Sequence, residues 1–261
     1  MSAIPGQDLS WRGRGSSEIA STSTVALLSH ELASELGHLP ARKLLEKLIR
    51  EVFPDRIALV SSFGIEAAVL LHIVAEIDPA TPVIFLDTGK LFAETIRYRN
   101  TLVRILGLQD VRSIEPDQAL LRASDPNGGA WRSNPDLCCH IRKVEPLARS
   151  LAGFKAWING RKRHHGGPRS ALPLIEAVDG RIKINALAAW GAEEIEAYFS
   201  VHQLPRHPLG DDGYRSIGCM PCSDRVAPGE DIRAGRWRGR EKTECGIHQT
   251  SSHHFANPRE E

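Results

Sequence analysis

The sequence predicts an α/β protein built on a mostly parallel sheet with helices on both faces. Two observations carry this reading. Short β-rich apolar runs alternate along the chain with longer segments of helical periodicity. Strand–helix–strand order implies right-handed crossovers between parallel strands. A third observation narrows the class. Three of the apolar runs stop at Ser61-Ser62-Phe63-Gly64, at Asp87-Thr88-Gly89 and at Gly160-Arg161-Lys162-Arg163. Sheets of this class take ligands beyond the carboxyl ends of their strands, so the three ends are expected to converge on one crevice for an anionic, nucleotide-like ligand.

The elements follow in order. Residues 25–38 and 40–53 place apolar residues at helical spacing. Residues 56–64, RIALVSSFG, are a strand running into the Ser-Ser-Phe-Gly loop. Residues 65–78 are a helix whose amino end favours a phosphate or sulfate oxygen. Residues 81–89, TPVIFLDTG, are a buried type of strand, 91–107 a helix and 111–116 a weaker strand. The segment 138–153 is expected to be helical and to stop at Gly153. Residues 154–160, FKAWING, form a strand followed by the basic loop RKRHHGGPR. LPLIEAV and IKINAL supply two further strands, and GAEEIEAYFSVHQL a last helix. There is no internal repeat.

Composition bounds the function. The chain has 261 residues, 41% hydrophobic and 25% charged, as expected of a soluble globular protein. A net charge of +1 excludes a globally basic nucleic-acid binder. No apolar run approaches the ~20 residues of a membrane helix. Residues 1–22 have no signal-peptide core and are expected to be a disordered leader. The body is expected over 23–228, and a mobile carboxyl-terminal segment over 229–261. Five cysteines without a secretion signal fit metal binding or thiol chemistry in a reducing cytoplasm better than a disulfide framework.

Four of those cysteines form a constellation. Cys138 and Cys139 are adjacent, and Cys219 and Cys222 form the CxxC of GCMPCSD. Four thiolates can hold zinc or an iron–sulfur cluster, and a redox dithiol is the remaining reading. Neighbouring side chains diverge, so a Cys-Cys pair fits a multi-iron cluster more easily than one tetrahedral ion. Arg142 and Lys143 follow the pair and would stabilise its charge. The fifth, Cys245, stands alone in KTECGIH behind Arg233, Arg236, Arg238 and Arg240, with Lys242 and His248 beside it. Cations favour the reactive thiolate, and a flexible arm can carry such a thiol into a crevice and out again.

SSFGIEAAVLLH, LDTGKLFAET, CCHIRKVEPL, WINGRKR, GCMPCSD and KTECGIH, in that order, resemble the assimilatory adenylylsulfate (APS) reductases, the iron–sulfur branch of the phosphoadenylylsulfate/adenylylsulfate reductase family. The resemblance spans about residues 50–250. It implies an adenine-nucleotide α-hydrolase-like (PP-loop) fold. It also implies the substrate adenosine 5′-phosphosulfate, the products sulfite and AMP, and thioredoxin or a glutaredoxin-like protein as reductant. One 4Fe–4S cluster on Cys138, Cys139, Cys219 and Cys222 is implied as well. By the same resemblance Cys245 attacks, with Lys143 and His248 assisting. Ser61, Ser62, Phe63, Gly64, Asp87, Thr88 and Gly89 line the adenosine side, and Gly160, Arg161, Arg169, Arg233 and Arg236 surround the phosphosulfate. The loop departs from the family's frequent SFGAED, with Ala67 where Asp is common. It also departs from the SGGxDS of ATP-cleaving PP-loop enzymes, and RSNPDL lacks a His found before the cysteines in some relatives. The 3′-phosphorylated substrate, a zinc-bearing PP-loop enzyme that adenylates its substrate, and a non-catalytic nucleotide-binding redox sensor are the alternatives. A homo-oligomer is compatible with all of them.

Overall fold

The computed structural model describes residues 22–248. The expected leader, apart from Thr22, and residues 249–261 of the expected carboxyl-terminal segment lie outside the described residues.

Six strands form one sheet: β1 (Ile57–Val60), β2 (Val83–Leu86), β3 (Val111–Ile114), β4 (Ala156–Ile158), β5 (Ile175–Val178) and β6 (Arg181–Ile184). Their spatial order is β3-β2-β1-β4-β6-β5. Every pair is parallel except β5 with β6. That pair is a hairpin closed by Asp179 and Gly180, both at positive φ. Two residues leave no room for a crossover, and Asp-Gly is a strong hairpin signal.

From β1 the chain moves to β2 and β3 on one side, then returns to lay β4 on the other side of β1. The β1–β4 boundary is therefore the topological switch point, where such sheets open a crevice.

The helices are α1 (Thr22–Leu36), α2 (Ala41–Lys47), α3 (Ala67–Ile77), α4 (Ala93–Leu106), α5 (Gln118–Ser124), α6 (Ala130–Ser133), α7 (Pro135–Cys139), α8 (Glu145–Ser150) and α9 (Ala192–Val201). Strand side chains alternate between the faces. Ile57, Leu59, Val83, Phe85, Ala156 and Ile158 enter the main core with α1, α2, α3, α4 and α9. Ala58, Ile84 and Trp157 point to the opposite face and meet Leu147 and Leu151 at the α8 side. This second layer is thinner, and Ile247 of the carboxyl-terminal arm packs into it.

The expected helix over 138–153 is found in altered form. It begins at Pro135, where the Asn134 side chain caps it by accepting from Leu137 N at 3.0 Å. A π-helical turn over His140–Val144 separates α7 from α8. Helices α5 and α6 were not foreseen from the sequence. Asp117 caps α5 by accepting from Leu120 N at 2.8 Å. Both helices are short, and none of the α5 side chains is buried, so the apolar periodicity that marks a longer helix is missing.

Candidate active site

The crevice at the switch point is a cavity of about 210 Å³. Two loops build its floor. The first follows β1: Ser61 Oγ accepts from Phe63 N at 3.2 Å, and the loop feeds into the amino end of α3. The second follows β4, where the Asn159 side chain donates to Ile184 O at 3.1 Å and accepts from Arg161 N at 3.1 Å. Of the residues singled out in the sequence, Ser61, Ser62, Gly64, Gly160, Arg161, Arg169, Arg233, Arg236, Lys143, Cys245 and His248 line this cavity.

Four do not. Phe63 sits at φ +48 with its ring fully buried edge-on to Phe85, so it anchors the loop from behind. Asp87 is occupied within its own turn, where its Oδ1 accepts from Gly89 N at 3.1 Å. Thr88 is turned to the cysteine side, its Oγ1 3.2 Å from Cys219 Sγ.

The four paired cysteines line a second, smaller cavity with Lys90, Trp131, Arg142, Lys143 and Trp237. Cys138 and Cys139 come from α7, while Cys219 is tied to the turn after β2 by Met220 N donating to Lys90 O at 2.8 Å. Arg142 braces the wall: it pairs with Asp125 at 2.7 Å and donates to Thr88 O at 2.9 Å, all three being buried. Burial pushes Cys139 up to about 12 and raises Cys138 and Cys222 above the usual thiol value. At Cys219 burial is outweighed by Lys143, Thr88 and Arg236, which hold it below that value. Burial also disfavours the Lys143 charge, but the neighbouring Cys219, Cys245 and Cys139 prevail and raise its pKa. Lys143 and Trp237 border both cavities, so the cysteine set and the crevice share a wall. The donors of the smaller cavity are all thiols, which suits a soft metal centre.

The carboxyl-terminal arm closes the crevice. Lys242 pairs with Asp136, Arg233 Nη2 donates to Thr243 O at 2.7 Å, and Arg169 and Glu244 form a buried fork-to-fork ion pair. Gly246–His248 lies on the π-helical turn. His248 stacks parallel to Trp157 at 6.2 Å. Burial, then the charges of Lys183, Arg161, Arg169 and Arg233, press the His248 pKa well below its usual value. Seven basic side chains line the crevice against two carboxylates, Glu66 and Glu244.

Sequence reasoning missed the acidic partners. Glu66 joins the two floor loops, meeting Lys162 Nζ at 2.7 Å and His165 Nε2 at 3.1 Å. Glu66, His164 and His165 bring three donor atoms within 4.8 Å of one another. Lys162 and Arg169 already occupy Glu66 and His165, so the cluster works as a clip between loops. Glu176 serves Arg161 and, at 3.4 Å, the fully buried Lys183 beneath the arm. Lone glutamates and lysines are common in any sequence, and only the folding of one loop opposite another gives these a role. The partial signal was an acid next to the Ser-Ser-Phe-Gly loop facing a basic loop.

A mostly parallel sheet with its crevice at the switch point, a Ser-rich loop opening a helix and a basic loop opposite defines an adenine-nucleotide α-hydrolase-like protein, here carrying an added thiol arm. The profile of the phosphoadenosine phosphosulfate reductase domain matches residues 56–225, and the chain belongs to that family. It is 52% identical over 224 residues to a protein of Mesorhizobium japonicum named adenosine 5′-phosphosulfate reductase, covering 86% of this chain and 88% of that one. A protein of the same name from Chelativorans sp. is 49% identical, covering 84% and 89%. Among solved structures, phosphoadenylyl-sulfate reductase from Candida auris in a phosphate complex superposes with a TM-score of 0.63 at 26% identity, over 79% of this chain and 98% of that one.

Proposed function

We propose that the protein reduces adenosine 5′-phosphosulfate to sulfite and AMP, with Cys245 as nucleophile and thioredoxin as reductant, in the cytoplasm. The observation that carries this reading is the placement of Cys245 in a crevice that also holds Lys143, Arg161, Arg169, Arg233, Arg236 and His248. The family and the names of the relatives at 52% and 49% identity support it.

The substrate's sulfur sits in a mixed anhydride. A Cys245 thiolate attacks it, the sulfur–oxygen bond to the phosphate breaks, and AMP leaves, so that Cys245 carries a sulfonate. An anion approaches an anion in this step, so the cations must be in place beforehand. A thioredoxin thiolate then attacks Cys245 Sγ and releases sulfite. The resulting mixed disulfide is resolved by the second thioredoxin thiol, which returns Cys245 as a thiol and supplies both electrons. His248, kept neutral by burial and by the surrounding cations, adds no charge and can donate a hydrogen bond to the departing group.

We further propose that Cys138, Cys139, Cys219 and Cys222 hold one 4Fe–4S cluster. Among the described residues no three of these sulfurs fall within 4.8 Å of one another, whereas four ligands on one zinc at about 2.3 Å would be closer together. A bound cluster would supply fixed charge and structure beside Lys143. Iron and acid-labile sulfide in the purified protein are the expected result, and stoichiometric zinc would contradict it.

The similarity to a phosphoadenylyl-sulfate reductase structure keeps the 3′-phosphorylated nucleotide as a second reading. Comparing kcat/KM for the two nucleotides with thioredoxin decides between them. A preference for the unphosphorylated form is expected, and equal or reversed values would favour the second reading.

A further inference from the structure

The side chain before the nucleophile occupies an anion seat made by two arginines of the crevice. Glu244 is 8% exposed and Arg169 also 8%. The carboxylate takes both Nε and Nη2 of Arg169 in a planar fork, the second bond at 2.9 Å, and lies 3.5 Å from Arg233 Nη2. A phosphate or sulfate group would take the same fork.

Glu244 is not what orients this arginine. Arg169 Nη1 donates to His165 Nδ1 at 3.2 Å, and His165 Nε2 is held by Glu66 at 3.1 Å. The fork is therefore fixed from the loop side, with its open face toward the cavity. Nor does the arm depend on Glu244 for docking. Lys242 on Asp136, Thr243 O on Arg233 and Ile247 in the second apolar layer all hold it independently. Burial works against the Glu244 charge, but Arg169, Arg233 and Arg161 keep its pKa below the usual carboxylate value. The carboxylate is thus charged throughout the neutral range and competes at full strength.

We infer that Glu244 is an internal stand-in for the nucleotide's anion, displaced from Arg169 and Arg233 when substrate binds and returning to expel AMP after Cys245 is sulfonated. Glu244 is a positioning and release residue, acting through the two arginines. The inference rests on the function proposed above.

The test measures three quantities in the purified holoprotein and its Glu244→Gln form: AMP affinity by calorimetry, first-turnover sulfonation of Cys245, and steady-state kcat with thioredoxin. Removing a charged competitor for a charge-assisted fork should tighten AMP binding roughly tenfold. The first turnover should keep its rate, while kcat falls and product inhibition by AMP deepens. Glu244→Ala is measured beside it and should move AMP affinity in the same direction. If AMP binds wild type and both variants equally, or the variants more weakly, Glu244 does not compete with the nucleotide and the inference is overturned alone. If AMP binds none of the proteins, the nucleotide reading fails and carries this inference down with it.

Discussion

His207 shows how a single buried ring sets a pH limit. Its Nδ1 accepts from Leu209 N at 3.2 Å, and its Nε2 meets Thr95 Oγ1 at 3.1 Å. The residue is 1% exposed, and burial depresses its pKa from 6.5 to about 4. The unfolded chain therefore binds the extra proton first, so stability is complete above pH 6.5 and drains away as pH falls towards about 4. The full loss is about 3 kcal/mol at ~1.4 kcal/mol per pH unit. Urea unfolding at stepped pH should show that slope, and His207→Gln should flatten it; an unchanged slope would reassign the acid sensitivity to another group. The same contrast explains what was legible at this scale. Cysteines and clustered arginines are costly or reactive enough that sequence alone marked Cys138, Cys139, Cys219, Cys222 and Cys245 as chemical. His207 and Glu66 carry no such mark, because their partners come from distant parts of the chain. Glu176 and Lys183 carry none because only the pairing of β5 with β6 sets them opposite each other.

At the scale of elements, two glycines fail for different reasons. A Cβ on Gly246 would stand 2.9 Å from Val144 Cγ2 on the π-helical turn. Gly246→Ala should therefore block docking of the arm, abolishing sulfonation of Cys245 while AMP binding tightens, because Glu244 leaves Arg169 and Arg233 together with the arm. Normal sulfonation would show that the arm reaches the crevice by another path. At Gly180 a Cβ meets nothing within 4 Å, but φ is +71. Gly180→Ala should cost about 1–2 kcal/mol from backbone strain in urea unfolding, with the nucleotide site intact. The strands and long helices were readable because their apolar spacing repeats over enough residues. The π-helical turn was not, since nothing in the residues His140–Val144 distinguishes it from an ordinary α-helical turn. The Asn134-Pro135 cap was present in the sequence but overshadowed by the cysteines that follow it.

For the whole molecule, the decisive feature is the uneven covering of the sheet. The main core buries one face under five helices, while the other face is closed thinly by α8 and by the arm. Because the main core lies on the other face, a ligand entering beside the arm leaves that core undisturbed. Among the described residues no helix is long and apolar enough to cross a membrane. The convergence of Ser61, Gly160 and the arginines was readable from the order of strands and loops, because the switch-point rule places those ends together. That Thr88 would turn to the cysteines was not, as the loop after β2 borders both cavities. For the proposed reaction Cys245 must reach an electrophilic sulfur held in the crevice. The most direct measurement is peptide mapping by mass spectrometry after incubation with adenosine 5′-phosphosulfate and no reductant. A sulfonate on Cys245 alone, removed as sulfite by added thioredoxin and absent from Cys245→Ser, is the expected result; an unmodified Cys245, or an adduct on another residue, would contradict it.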